Sequence, residues 1–247
     1  MKAIKALCLC ALWTVILVCA CNKPTLEPEP DPTPDPTPDP TPTVTLEAVD
    51  LGLKVIWADR NLGADSPSDY GDYFAWGETD TKTSFDWSNY KWANGSKSSL
   101  TKYNTRSECG SVDNKTRLLK EDDAASVATN GGWRMPTRED LEELLSSCTW
   151  EKTSLKTESG DVFGYTVKSK TNDKSIFLPA AGCIADSTPN KANEYGLYPS
   201  SDVCTAENNG YGYMDDYCWY LFFQSGEKII YGDSRARGWA IRPVKDK

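Results

Sequence analysis

The sequence predicts an α+β domain with few helices, short antiparallel strands and long loops. Three observations favour this class. Several short apolar runs alternate with turn-forming residues, which is typical of short strands. One segment, after Pro136, carries a clear helical repeat of apolar residues. The stretch from Asp80 to Lys115 shows no sustained periodicity, so we expect a long irregular excursion there.

Strands are predicted where apolar and aromatic residues lie between turn signals. The predicted strands are Val49–Leu53, Val55–Ala58, Gly164–Ser169, Ser175–Leu178, Trp219–Gln224, Lys228–Tyr231 and Trp239–Val244. A turn-rich loop is expected from Gly63 to Glu78. Ser225 and Gly226 stand between two of the predicted strands and indicate a hairpin turn.

Two helices are expected. Thr137 and Asp140 match a capping box, in which each side chain accepts a hydrogen bond from a backbone N–H at the helix start. The helix that follows carries an apolar stripe formed by Leu141, Leu144, Leu145 and Cys148. A shorter helix is expected from Asp122 to Ala128, with acidic residues at its start, where negative charge offsets the helix dipole.

Residues 1–20 have the pattern of a secretory signal peptide. Lys2 and Lys5 form its charged start, and Ala6–Ala20 is an apolar run too short to span a bilayer comfortably. The end of this run, Val18-Cys19-Ala20-Cys21, resembles the lipobox of bacterial lipoproteins. That resemblance implies cleavage before Cys21, which then carries the lipid. An ordinary signal peptide with a chance cysteine is the alternative.

Residues 21–43 are expected to form the lipidated N-terminus and an acidic, Pro-rich stalk. From Pro28 to Pro42 every second residue is proline, and an Asp-Pro-Thr-Pro unit repeats. Proline lacks a backbone N–H and fixes φ, so the Pro-rich segment is expected to be an extended spacer of about 60 Å. Residues 44–247 are assigned to a single domain. A stalk of this kind displays a domain away from a membrane, here the outer membrane and, in our interpretation, its cell-surface side.

The composition argues against several classes of function. The formal net charge is −9, which disfavours a nucleic-acid interface and electrostatic docking on anionic membranes. The chain has no histidine, so Ser-His-Asp and Cys-His catalytic systems and imidazole-ligated zinc are impossible within it. Asp215 and Asp216 lack the alternating carboxylates of a calcium loop. Composition alone leaves carboxylate-based catalysis and oxygen-ligated calcium open, but without a recognisable site we expect no metal and no cofactor.

Five phrases of the domain occur in a characteristic order. They are Val49-Asp50-Leu51-Gly52-Leu53, Tyr70-Gly71-Asp72-Tyr73-Phe74-Ala75-Trp76-Gly77-Glu78-Thr79, Trp133-Arg134-Met135-Pro136-Thr137, Phe177-Leu178-Pro179-Ala180-Ala181-Gly182 and Ile241-Arg242-Pro243-Val244. Together they resemble the Fibrobacter succinogenes major paralogous domain, a family found on exported lipoproteins of anaerobic Gram-negative bacteria. The resemblance covers nearly all of residues 47–244. It implies a C-type-lectin-like fold related to that of the formylglycine-generating (sulfatase-modifying) enzymes.

The resemblance does not imply an activity. The surroundings of Cys204 and Cys218 do not match the copper-holding cysteine motif of the formylglycine-generating enzymes. Calcium-dependent lectins of this fold hold sugars through Glu-Pro-Asn or Gln-Pro-Asp and Trp-Asn-Asp motifs, and residues 44–247 contain none of these. We therefore expect neither an enzyme nor a calcium-dependent lectin of the usual kind.

A further likeness points to a binding face. Ligand-binding proteins diversified by retroelements are similar in fold, vary in their C-terminal loops and have an end like Trp239–Val244. The stretch from Asn208 to Trp219 is rich in Tyr, Asn and Asp, side chains that make adaptable contacts in paratopes, and we expect the binding face to be the loop region from Asp186 to Trp219. The predicted ligand-binding residues are Tyr195, Tyr198, Tyr211, Tyr213, Asp215, Asp216 and Trp219. A polar surface loop whose tyrosines cover the sheet is the alternative.

Disulfide bonds are possible after export. Five cysteines lie beyond Cys21, namely Cys109, Cys148, Cys183, Cys204 and Cys218. Because their number is odd, at least one is expected to be free or to pair between chains. Cys204 and Cys218 flank the Tyr-rich loop and are the candidates for a disulfide that closes it.

These features favour a non-enzymatic ligand-binding or adhesion lipoprotein at the bacterial outer membrane. The expected partner is an extracellular or envelope protein or a glycan. Two alternatives remain. One is a structural or assembly subunit of a surface fibre or lipoprotein complex. The other is a glycan-active enzyme, which would need two facing carboxylates that the sequence cannot identify.

Overall fold

Short strands and a few helices make up the described chain, which comprises residues 44–205 and 215–247 of a computed structural model. The strands are β1 (Ala48–Val49), β2 (Val55–Ala58), β3 (Tyr73–Phe74), β4 (Cys148–Thr157), β5 (Gly160–Ser169), β6 (Ser175–Pro179), β7 (Cys183–Ala185), β8 (Thr188–Asn190), β9 (Gly196–Val203), β10 (Tyr217–Phe223), β11 (Lys228–Ser234), β12 (Gly238–Ala240) and β13 (Val244–Asp246). The α-helices are α1 (Ala124–Ala128) and α2 (Arg138–Ser147), and single 3-10 turns lie at Ser107–Cys109 and Lys120–Asp122. All of these elements belong to one unit, Pro40–Lys247.

The described strands form four small antiparallel sheets. Their orders are β1-β2-β13, β11-β10-β9, β3-β12-β7-β8 and β4-β5-β6. The pairing of β2 with β13 joins the beginning of the domain to its end and places Trp57 opposite Val244. The few helices and the many short antiparallel strands confirm the α+β class.

The capping box predicted at the start of α2 is present. Thr137 Oγ1 accepts a hydrogen bond from the Asp140 N–H at 3.1 Å, and Asp140 Oδ2 accepts one from the Thr137 N–H at 2.9 Å. Leu141 and Leu144 are buried in the main core, as the apolar stripe predicted. Cys148 is buried too, but it is the C-cap of the helix and the first residue of β4.

The helix α1 is shorter than predicted and begins at a buried N-cap. Asp123 Oδ1 accepts a hydrogen bond from the Ser126 N–H at 3.0 Å, and Asp123 Oδ2 accepts one from the Met135 N–H at 2.8 Å. Burial raises the pKa of Asp123. This acidic residue therefore acts by satisfying specific N–H groups, in addition to any effect of its charge on the helix dipole.

The irregular excursion predicted from Asp80 to Lys115 is confirmed, because these residues contain no strand and no α-helix. Backbone hydrogen bonds nevertheless hold it. The Leu100 N–H donates to the Cys109 carbonyl at 2.7 Å, and the Ser111 N–H donates to the Leu100 carbonyl at 2.8 Å. Gly110 has φ +132°, and a Cβ there would lie 2.2 Å from the Leu100 carbonyl oxygen. Glycine is thus required at this close approach.

The predicted hairpin forms the pair of β10 and β11. Phe223 lies opposite Lys228, and the Gln224 N–H donates to the Glu227 carbonyl at 3.1 Å. Gly226 has φ +94°, a conformation that glycine adopts readily. The local turn signal therefore identified both strands and their connection.

Two predicted strands differ from those in the structure. The strand expected over Val49–Leu53 is reduced to β1, because Gly52 turns the chain with φ +76°. The single strand expected over Trp239–Val244 was wrong, since β12 ends at Ala240 and β13 begins at Val244. Pro243, which cannot donate a ladder hydrogen bond, stands in the gap.

The sequence did not predict β4, β7, β8 or β9, nor β3, which lies within the loop expected from Gly63 to Glu78. β4 pairs with β5 along its whole length, from Cys148 opposite Ser169 to Thr157 opposite Gly160. Every residue of β9 is buried, although the strand contains Pro199 and its serines are not typical of strands. Pairing with distant partners, rather than local preference, determines these elements.

The main core lies where α2 meets several of the sheets. It packs Leu141 of α2 with Trp57 of β2, Leu178 of β6, Leu221 of β10 and Val244 of β13. No helix in the described part of the chain is long and apolar enough to cross a lipid bilayer.

Candidate functional site

The structure separates the residues that were predicted to form one binding face. Two of them, Tyr211 and Tyr213, lie outside the described residues. Tyr195 contacts Phe222, whereas Trp219 projects from the opposite face of β10, because residues three apart in a strand point to opposite faces. The predicted residues therefore do not share a single surface.

Tyr198 and Trp219 are buried, so the structure corrects their prediction as ligand anchors. Tyr198 is 1% exposed in the main core, and its hydroxyl donates to the Pro179 carbonyl at 2.7 Å. Trp219 is 5% exposed, and the guanidinium carbon of Arg138 lies 3.9 Å from the centroid of its ring. Aromatic composition alone does not distinguish a ring that packs in the protein from one that contacts a ligand.

Asp215 and Asp216 are also buried, so they are not polar contacts on a surface. Asp215 Oδ2 accepts a hydrogen bond from the Thr105 N–H. Asp216 Oδ2 lies 4.0 Å from Lys97 Nζ, and the Asp216 carbonyl accepts from the Arg235 N–H at 3.0 Å. Burial raises the pKa of Asp216. Because Thr105 and Lys97 belong to the irregular excursion, these contacts link it to the residues at the start of β10.

The disulfide expected between Cys204 and Cys218 is not formed, since Cys218 is a free thiol. Cys218 is fully buried and lies opposite Val203 in the pair of β9 and β10. Burial raises the pKa of Cys218 well above its ordinary value, which disfavours the reactive thiolate. The Cys204 N–H donates to the Tyr217 carbonyl at 2.9 Å, so backbone pairing joins the two strands here.

One predicted residue belongs to an apolar surface that we name the aromatic strip. The strip consists of Tyr195, Tyr220, Phe222, Ile229 and Tyr231. Tyr220 lies opposite Tyr231 and Phe222 lies opposite Ile229, so these four side chains project from one face of the sheet. Tyr195 extends the row, with its ring centroid 5.5 Å from that of Phe222 and the two ring planes at 74°.

The strip is fixed at one end and exposed at the other. Tyr220 stacks on Trp239, with ring centroids 5.5 Å apart and an interplanar angle of 30°. Ile229 is 41% exposed, and among the large hydrophobic residues of the described chain only Val112 and Val127 are similarly exposed. A rigid base that ends in an exposed apolar side chain is suited to contact with a partner.

Two hollows adjoin the strip. The smaller, of about 220 Å³, is lined by four residues of the strip and by Glu227. The larger, of about 550 Å³, is lined by Tyr195 and Phe163 together with polar side chains that include Lys152 and Gln224. Apolar rings beside polar rims are typical of surfaces that recognise ligands with both apolar faces and hydrogen-bonding groups.

The side chains of the strip can make both apolar contacts and hydrogen bonds. Burial raises the pKa of Tyr220 above its ordinary value, so its hydroxyl stays protonated and can donate or accept a hydrogen bond. Within residues 44–205 and 215–247, no three His, Cys, Asp or Glu side chains are grouped so that they could hold a metal ion. The rings supply contact area, and the rim supplies polar partners.

The sequence interpretation did not identify Phe222, Ile229 and Tyr231 as part of a surface. A signal for them was present in the hairpin. Tyr220 and Phe222 are two residues apart before the turn, and Ile229 and Tyr231 are two residues apart after it. In a paired hairpin this spacing places all four side chains on the same face.

Comparison of the chain with known proteins finds no matching family model, no matching curated protein and no matching solved structure.

Proposed function

We propose that this chain is a surface-displayed lipoprotein whose domain binds a ligand, without catalysis, through the aromatic strip. The observation that carries the proposal is the strip itself. Two cross-strand pairs and Tyr195 form an apolar row flanked by two hollows. Aromatic rings give a large contact area at little conformational cost. The partner is an extracellular or envelope protein or a glycan whose apolar face lies on the rings.

We further propose that the domain is a Fibrobacter succinogenes major paralogous domain with a C-type-lectin-like fold. In support, phrases that are far apart in the sequence contact each other. Arg242, in the closing phrase, donates through Nη2 to the Phe177 carbonyl at 2.9 Å. Arg134 and Val244 exchange backbone hydrogen bonds of 2.8 and 2.9 Å. Phrases that together characterise one family are expected to pack against each other in the fold.

Display at the surface depends on Cys21 and the stalk, which lie outside the described residues. Protease treatment of intact cells is expected to remove the domain, and a Cys21→Ala variant is expected to be lost from the membrane fraction. Cells with a permeabilised outer membrane serve as the control for protease sensitivity. If the domain is digested only after permeabilisation, it lies in the periplasm and the proposal of surface display is wrong.

Replacing Ile229 by glutamate is expected to reduce ligand capture by at least about tenfold, because a carboxylate would have to be desolvated within the apolar contact. The melting temperature is expected to change little, because Ile229 is already 41% exposed. Capture is measured on arrays of glycans and extracellular matrix proteins. Val112→Glu is the matched control, since Val112 is 45% exposed outside the strip. Unchanged capture by Ile229→Glu, or an equal loss in Val112→Glu, would contradict the role of the strip.

A second candidate function, an assembly subunit, is favoured by the edge of the β4-β5-β6 sheet. β4 has ten residues and, among the strands that the structure describes, pairs on one side only, with β5. A long edge strand presents backbone donors and acceptors to which another chain can add a strand. Light scattering after size-exclusion chromatography separates the two candidates. Assembly through the edge of β4 predicts oligomers whose size grows with concentration, whereas the binding proposal requires no such growth.

A further inference from the structure

A separate cavity of about 350 Å³ shares no lining residue with the hollows beside the aromatic strip. We name it the cationic pocket. Its defining residues are Arg117, Lys120, Trp133, Arg134 and Lys245. Its volume falls within the range of about 300–1,000 Å³ that is usual for small-molecule sites.

Backbone hydrogen bonds hold the walls of the cationic pocket together. The Arg134 N–H donates to the Val244 carbonyl at 2.8 Å, and the Val244 N–H donates to the Arg134 carbonyl at 2.9 Å. On another wall, the Leu118 N–H donates to the Ser201 carbonyl at 2.9 Å. A cavity that is formed in advance loses little conformational freedom when a ligand binds.

The carboxylates that line the pocket already accept hydrogen bonds from groups of the protein. Asp123 accepts hydrogen bonds from the N–H groups of Ser126 and Met135 at 3.0 and 2.8 Å. Asp246 Oδ1 accepts from Nε and Nη2 of Arg134 at 3.2 and 2.7 Å. Within the described residues, neither carboxylate forms an ion pair with a lysine of the pocket.

Arg134 is paired with Asp140 and Asp246, and Arg117 with Asp202 and Glu139, so the unpaired positive charge of the pocket is carried by its lysines. In the described part of the chain Lys120 and Lys245 form no ion pair, and Lys245 Nζ lies 4.8 Å from the centroid of the Trp133 ring. Arg117 holds carboxylates through Nε and Nη2, and its Nη1 is not engaged by any described residue. A concave surface lined by ammonium and guanidinium groups attracts an anion.

The other polar lining carries hydroxyl groups. Ser126, Thr137 and Ser201 line the pocket. The Thr137 hydroxyl accepts a hydrogen bond from the Asp140 N–H and also interacts with the Glu139 carboxylate, so Ser126 and Ser201 are the hydroxyl groups that the lining offers to a ligand. Trp133 supplies the single aromatic ring of this lining. The combination fits a ligand that has several hydroxyl groups and a negative charge.

We propose that the cationic pocket binds an acidic sugar, that is, a carboxylate- or sulfate-bearing unit of a glycan. The anionic group lies among Lys120, Lys245 and Arg117 Nη1, and the sugar hydroxyls meet the hydroxyl-bearing lining. The net charge of the chain is −9, so a densely charged polyanion is repelled while a single anionic group can enter. The site is independent of the aromatic strip and adds a second class of ligand.

The test is isothermal titration calorimetry of the full chain in detergent with three galactose-based ligands. They are a galactose trimer that ends in one galacturonate, a galactose trimer that carries one sulfate and a neutral galactose trimer. The acidic trimers are expected to bind at least about tenfold more tightly than the neutral one. A Lys120→Gln/Lys245→Gln variant is expected to lose about tenfold or more of that affinity, since each lysine supplies a charged hydrogen bond. The tighter of the two acidic trimers identifies the preferred anionic group, carboxylate or sulfate.

Matched controls make the outcome decisive. A Lys156→Gln/Lys174→Gln variant removes two exposed lysines elsewhere and is expected to bind like the parent. Ile229→Glu is expected to retain acidic-sugar binding, so failure of this proposal is distinguishable from failure of the strip. Equal affinity for acidic and neutral trimers, or unchanged affinity in the Lys120→Gln/Lys245→Gln variant, overturns the proposal. Inorganic sulfate that binds as tightly as the sulfated trimer overturns the assignment to a sugar.

Discussion

Replacing Arg242 by alanine is expected to lower the free energy of unfolding by about 3–5 kcal/mol. Arg242 is 1% exposed, and its guanidinium group connects the closing phrase to two distant segments, one at residues 58–61 and one at Phe177. Nε donates to Asn61 Oδ1 at 2.9 Å, Nη2 to the Phe177 carbonyl at 2.9 Å and Nη1 to the Ala58 carbonyl at 3.3 Å. Alanine would leave these buried acceptors without their donor and would also leave a cavity.

The charge of Arg242 contributes to the size of this effect. Burial lowers the pKa of Arg242 to about 10, so the guanidinium group is still charged at neutral pH. Hydrogen bonds from a charged donor are roughly twice as strong as those between neutral groups. Its partners are mainly carbonyl groups, which a neutral side chain of similar length could not satisfy in the same way.

Arg60→Ala is the matched control for Arg242→Ala. Arg60 also donates to a carbonyl, that of Thr45 at 3.0 Å, and pairs with Asp59 at 3.4 Å, but its side chain is 24% exposed. Arg60→Ala is expected to lower the free energy of unfolding by about 1 kcal/mol or less. Urea unfolding followed by tryptophan fluorescence measures both variants. A loss below 1 kcal/mol for Arg242→Ala would show that the network around Arg242 does not stabilise the fold.

The elements that could be predicted from the sequence are those with local signals. The capping box of α2 depends on residues three apart, and the turn between β10 and β11 occupies a few consecutive residues. β9 could not be predicted because its strand conformation depends on β10, from which it is separated by more than a turn in sequence. Its serines and Pro199 disfavour a strand locally, and burial on both faces overrides that preference.

The candidate site could be predicted only in part, for a related reason. Composition identified Tyr195, which lies in the aromatic strip, and equally Tyr198, which is buried in the main core. The two residues are close in sequence, and only the pairing of β9 with β10 decides which side of the sheet each ring occupies. Leu197 and Tyr198 lie opposite Phe222 and Leu221, which point to different faces. The number of tyrosines in a segment does not show the register of β9 against β10.

Tyr198→Ala is therefore expected to destabilise the domain by about 3–5 kcal/mol, the cost of deleting a large buried aromatic side chain. The variant would also lose the hydrogen bond from the Tyr198 hydroxyl to the Pro179 carbonyl, measured at 2.7 Å. Tyr198→Phe removes that bond together with the one that the Tyr198 hydroxyl accepts from Asn61 Nδ2 at 3.3 Å, and is expected to cost about 1–2 kcal/mol. Thermal and urea unfolding measure these changes.

Tyr195→Ala also replaces a tyrosine, but it is expected to give the opposite result to Tyr198→Ala. Tyr195 is only partly buried, so its removal is expected to cost about 1 kcal/mol while ligand capture falls. Tyr198→Phe, in contrast, is expected to capture ligand like the parent, because the Tyr198 ring lies in the core on the other side of the sheet. If Tyr198→Ala kept its stability but lost capture, Tyr198 would contact the ligand, as its place in the tyrosine-rich region predicted. The aromatic strip would then lose its support as the binding surface.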